Sequence, residues 1–112
     1  MNREESKRHF DHQDMLARFG NDAEMTKEIM ESLVHEMQES INAIESNYKS
    51  DNTQVATRNA HTIKGIALNM SFGILAQIAL QLEQSIAKGK PDQAFLLKKL
   101  KEEWELLQTM IH

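Results

Sequence analysis

Apolar residues recur every three or four positions along most of this chain, and that spacing constrains its fold more than any other feature. Ile29, Leu33, Met37, Ile41, Ile44 and Tyr48 fall on one face if their segment is helical. The steps predict a helix from roughly 22 to 49. Ala56, Ala60, Ile63, Ala67 and Met70 form a second stripe, and Phe72, Leu75, Ile78, Leu82 and Ile86 a third. Leu96, Leu97, Leu100, Trp104, Leu107 and Ile111 form a fourth. Only one proline and four glycines interrupt the 112 residues, and no alternating Val/Ile/Thr run suggests a strand. The expected fold is all-α: one domain over 1–112, built as an antiparallel up-down four-helix bundle with a short extra N-terminal helix.

The breaks between stripes carry local signals. Met15, Leu16 and Phe19 share one side of a short helix that Gly20 ends. Asn21 stands three residues before Glu24, a capping-box-like start for the first long helix. Asp51 can cap the second long helix, and a turn is expected at 69–71. Lys88-Gly89-Lys90-Pro91 reads as a stop and a restart, with glycine past one helix end and proline at the next start. Residues 1–9 show no stripe and are expected to form a flexible arm.

Composition removes several classes of function. The absence of cysteine excludes disulfides, thiolate catalysis and sulfur metal sites. The 17 acidic and 13 basic residues are scattered and leave a net charge of −4, unlike the clustered cations of a nucleic-acid surface. No apolar run approaches the roughly 18 residues that cross a bilayer. The opening MNREESKRHF is charged where a signal peptide is apolar. A soluble, cytoplasmic chain without membrane or nucleic-acid partners is expected.

Of the five histidines, His61 has the most informative surroundings. Helical geometry puts Lys64, Gly65 and Leu68 on its face, with Arg58 one turn before. The apolar stripe lies largely on another side, so His61 should point to solvent. Glycine within a helix costs about 1 kcal/mol against alanine, which calls for a compensating use. Open space beside the imidazole is one, since a phosphoryl group and a partner both need room. Lys64 and Arg58 would supply positive charge to a phosphate on the ring.

The string Ala60-His61-Thr62-Ile63-Lys64-Gly65 resembles the signature of histidine phosphotransfer domains, whose pattern is A-H-x-L-K-G with Ile tolerated for Leu. The likeness continues through Leu75 to Leu82-Glu83, and more loosely from Phe19-Gly20-Asn21-Asp22 through the turn at Gly89 to the C-terminus. The resemblance implies that His61 is the phosphoacceptor and attacks through its outer ring nitrogen. It implies that Lys64 offsets phosphate charge, that Gly65 keeps the approach clear, and that Glu83 hydrogen-bonds the inner ring nitrogen or sits near the site. Two residues depart from the family's habit of small side chains after the K-G pair. Ile66 is expected to pack against a neighbouring helix, and Leu68 to belong to an apolar docking patch.

Other candidates are weaker. His9 and His12, with Asp11 and Asp14, have a loosely metal-like spacing in a polar stretch. His35-Glu36 resembles the start of a sensor-kinase dimerisation helix, but Gln38, Glu39 and Ser40 do not continue it. Most of the seven methionines occupy core spacing. No Glu-x-x-His pair supports a di-iron bundle, and no glycine-rich loop supports ATP binding. The expected function is that of a monomeric phosphocarrier without a cofactor. It would exchange a phosphoryl group with response-regulator receiver domains, whose own magnesium assists, or take one from a histidine kinase. The other readings are a non-phosphorylated helical adaptor and a sensor-kinase dimerisation bundle.

Overall fold

A computed structural model describes residues 1–49 and 52–111. Six helices account for the regular structure of the described residues: α1 (Arg3–His9), α2 (His12–Arg18), α3 (Ala23–Asn47), α4 (Thr53–Asn69), α5 (Gly73–Ala87) and α6 (Gln93–Met110). The four long helices fall where the stripes place them. Ala56, Ala60, Ile63, Ala67 and Met70 of the second stripe are fully buried, as are Phe72, Leu75 and Leu82 of the third. The small alanines let α4 lie close against its neighbours. Met37, Ile41 and Ile44 from α3 and Leu100, Trp104 and Leu107 from α6 complete the core.

Three helices end in the same way. The second residue past the helix takes a left-handed conformation, at Gly20 (φ 72°), Ser71 (φ 60°) and Gly89 (φ 63°). After α4, Phe72 N–H bonds to Ala67 O at 2.8 Å and Ser71 N–H to Leu68 O at 3.3 Å. The same two bonds recur after α2 and α5, so orphan carbonyls at each helix end gain a partner. Ser71 is a side chain where glycine is usual.

Several boundaries differ from expectation. Asn21 does not cap α3; it also has positive φ (58°), and the cap falls one residue later on Asp22, whose carboxylate accepts from Met25 N–H at 2.9 Å. Asn52 occupies the N-cap position of α4, and Asp51 lies outside the described residues. Pro91 precedes the cap of α6, Asp92, rather than opening the helix; the Asp92 carboxylate accepts from the Ser85 hydroxyl.

The N-terminal stretch, expected to be a flexible arm followed by one short helix, holds two helices. Asn2 caps α1 by accepting from Glu5 N–H at 2.8 Å. Glu4 and Glu5 sit in its first turn and Lys7, Arg8 and His9 in its last, the order that complements the helix dipole. Phe10 then turns extended, and Asp11 N–H bonds to Ser71 O at 3.1 Å. Phe10 meets the Phe72 ring edge-on at 5.2 Å, while Met15 of α2 is fully buried. His9 Nδ1 lies 2.7 Å from Glu103 Oε2 on α6, a carboxylate only 7% exposed. Truncating a fully buried methionine such as Met15 to alanine typically costs about 2–5 kcal/mol, so α2 is bound into the core.

Candidate functional site

His61 stands midway along α4 between two fully buried residues, Ala60 and Ile63. Their burial fixes the rotation of the helix and turns the imidazole outward, with its side chain 66% exposed. On the facing turn of α5, Leu82 is fully buried and presents the next residue, Glu83, to the ring. The Glu83 carboxylate oxygens lie 3.2 and 3.3 Å from His61 Nδ1. A carboxylate only accepts, so this contact requires the proton on Nδ1, which in the neutral ring leaves Nε2 with its lone pair. Nε2 has no partner among the described residues.

Glu83 also holds Lys64, whose Nζ is 3.5 Å from Oε2. Lys64 and Glu83 are mostly covered, 23% and 20% exposed, so this ion pair is screened less than one in open water. Gly65 is followed by open space: a Cβ built there meets nothing within 4 Å. Arg58 is exposed, and its guanidinium forms no ion pair among the described residues. Leu68 is 52% exposed, whereas Ile66 is buried, as its packing role predicts.

A cleft of about 630 Å³ opens beside the imidazole, lined by Thr53, Gln54, Thr57, Arg58, His61, Glu83 and Ala87. Its far wall is one that the sequence reading missed. Thr57 and Gln54 lie four and seven residues before His61, spacings that mark the same helical face as surely as those after it. Ala87, four residues past Glu83, could be found only once α5 was known to face α4. Leu68 borders a separate, smaller hollow of about 240 Å³ with Lys7, Arg8, Asp11, Asp14 and Arg18.

The other three histidines among the described residues are apart from this site. His9 pairs with Glu103, His12 packs edge-on against Phe10, and the exposed His35 reaches Glu39 at 2.9 Å. No group of three or more His, Asp or Glu with metal-holding geometry occurs among the described residues.

The sequence model of the Hpt domain matches residues 28–110. The chain belongs to the Hpt domain family. It is a phosphorelay phosphotransfer domain, and the family's partners are two-component kinases and receivers. No curated protein matches the chain in sequence. Among solved structures it is similar to the HPT domain of a sensor hybrid histidine kinase from Shewanella, with a TM-score of 0.78 at 10% identity, over 94% of this chain and 92% of that one. At that identity the likeness concerns the fold. It includes the N-terminal region of this Hpt domain, since 94% coverage exceeds the span of the family match. No helix among its described residues is long and apolar enough to cross a membrane.

Proposed function

We propose that His61 is the phosphoacceptor of this Hpt domain and carries a phosphoryl group between receiver aspartates, or from a histidine kinase to a receiver. The observation that carries this reading is the Glu83 contact at Nδ1, paired with a partnerless Nε2 on an exposed ring. Histidine is largely neutral at cellular pH, so a ring held in this tautomer is a nucleophile without a separate base. Lys64 and Arg58 supply positive charge on either side of it, Gly65 clears the approach, and Leu68 extends the surface on which the partner docks. Positioning and charge are most of what phosphoryl transfer asks of a protein. The magnesium that assists belongs to the receiver, and the domain holds no cofactor of its own.

On this reading the chain is a cytoplasmic, monomeric carrier rather than an enzyme, and α3–α6 form an antiparallel up-down bundle. Two cross-links support that arrangement. Lys101 Nζ reaches Glu45 at 2.9 Å and Trp104 Nε1 donates to Gln38 at 3.0 Å, so contacts rise along α6 as they fall along α3.

The test is incubation with a phosphorylated receiver domain, followed by detection of acid-labile phosphate on this chain. His61→Gln should retain the wild-type helical content, because the side chain is exposed, and should lose all labelling. Labelling that survives His61→Gln would place the acceptor elsewhere.

A further inference from the structure

Two cations flank His61 on its helix, Lys64 three residues after and Arg58 three before, and the structure makes them unequal. Lys64 is committed: its ammonium sits against Glu83, whose carboxylate also holds His61 Nδ1. Moving Lys64 onto a phosphoryl group would leave a mostly covered carboxylate with the imidazole as its one partner. Arg58 has no ion pair to give up, and its side chain forms the wall of the cleft into which His61 opens. A guanidinium also presents a planar fork of N–H donors that matches two oxygens of a phosphoryl group, which an ammonium cannot do.

We propose that Arg58, rather than Lys64, is the cation that touches the transferring phosphoryl group, and that Lys64 is a positioning residue acting through Glu83. This rests on the reading of His61 as the phosphoacceptor. In the step itself, the Nε2 lone pair attacks the phosphorus of the partner's aspartyl phosphate and an N–P bond forms. The P–O bond to the aspartyl oxygen breaks, and that oxygen leaves with the bonding pair as a free carboxylate. Nδ1 keeps its proton, so the phosphorylated ring is cationic and faces the Glu83 carboxylate. The three outer phosphoryl oxygens keep their charge throughout. Arg58 donates to two of them from the cleft side, while Lys64 holds Glu83 in line with the ring.

Labelling of His61 by two donors tests the assignment: a phosphorylated receiver domain, and phosphoramidate, which carries no protein surface. Arg58→Ala should slow labelling from both donors by about tenfold or more, with unchanged melting, because a charge-assisted contact to the reacting group is lost. Arg58→Lys should recover only part of the rate, because the charge returns without the fork. Lys64→Ala should slow both donors by a smaller factor, below about threefold, and should shift the ¹⁵N signature of the His61 ring away from the Nδ1–H tautomer. Four results would overturn the proposal. In one, Arg58→Ala slows the receiver reaction but not phosphoramidate, which would make Arg58 a contact to the partner protein. In another, Lys64→Ala has the larger effect with phosphoramidate. A wild-type chain labelled by neither donor overturns the phosphoacceptor reading as well, whereas a labelled wild type with an indifferent Arg58→Ala overturns this assignment alone.

Discussion

Glu83 holds the inner nitrogen of His61 across 22 residues of sequence, with both carboxylate oxygens within 3.3 Å of Nδ1. The contact joins α5 to α4 beside the buried Leu82 and the buried Ala60 and Ile63. It ties the chemistry of the ring to the rigidity of the core, because neither helix can rotate without exposing apolar residues.

Removing that acceptor should therefore change the tautomer before it changes the fold. In Glu83→Ala, Nδ1 loses its partner and a larger share of rings carry the proton on Nε2, where it blocks attack. Hydrogen bonds to charged groups are worth about 1.5–3 kcal/mol, so labelling should fall by roughly tenfold or more. Long-range ¹H–¹⁵N spectra of the ring report the tautomer directly. Glu83→Ala spectra and rates that match wild type would mean the contact has no part in the reaction.

Much of this site was legible in the sequence, and the reasons it was legible are local. The stripe Ala56, Ala60, Ile63 and Ala67 sets the inward face of α4, and a helix has only one opposite face on which His61 can lie. The string from Ala60 to Gly65 then supplies a meaning for that face. What escaped depends on residues far apart. Helix α1 has no apolar stripe; its cap and charge order allow it to form, and the His9–Glu103 contact that docks it spans 94 residues. Glu103 lies between Leu100 and Leu107 on the inward face of α6, but the partner that a buried carboxylate needs is supplied only when α1 brings His9. Asn21 and Ser71 take left-handed backbone that glycine usually takes, so the start of α3 and the α4–α5 turn could be placed only to within a residue.

That α4–α5 turn is also a place where acid should act. The Ser71 hydroxyl donates to Asp14 Oδ2 at 2.5 Å and Arg18 Nε donates at 2.9 Å. These two bonds, the serine's the larger influence, hold the Asp14 carboxyl below its ordinary value of 3.8. A carboxyl depressed in the folded state stabilises the fold above its unfolded value, and that contribution is lost as pH falls through the folded value. Loosening of α2 from this turn is thus expected below about pH 3.8. Ser71→Ala should raise the Asp14 midpoint towards its ordinary value, read by carboxyl ¹³C titration. A midpoint that does not move would assign the depression to Arg18 alone.

The division of metal and nucleophile between partners has its own test. Glu83 is already shared between His61 and Lys64, and no further carboxylate joins the cleft lining among the described residues. Hard cations need several oxygen ligands. Calorimetric titration of the isolated chain with Mg²⁺ should show no specific site, while chelation should stop transfer from a phosphorylated receiver. A tight stoichiometric Mg²⁺ site on this chain would contradict that division.

Gly65 separates access from folding. It lies one helical turn beyond His61, and side chains on a helix lean towards its N-terminus, so a side chain at 65 would project back towards the imidazole. A Cβ there would meet no atom within 4 Å, so no helix contact requires glycine at this position. Backbone freedom does not require it either, since its φ is not among the positive values. Gly65→Ala should be neutral or stabilising by up to about 1 kcal/mol, the ordinary gain in a helix interior. Gly65→Gln should gain nearly as much, because glutamine is also a good helix former. Its longer side chain, however, would occupy the space that a phosphoryl group and a docking partner need. The expected outcome is a melting temperature equal to or above wild type together with a large fall in transfer from a phosphorylated receiver. Phosphoramidate, which needs less room, should lose less. A Gly65→Gln chain that folds and transfers at the wild-type rate would show that the partner approaches His61 from another side, over the cleft walled by Thr57 and Ala87.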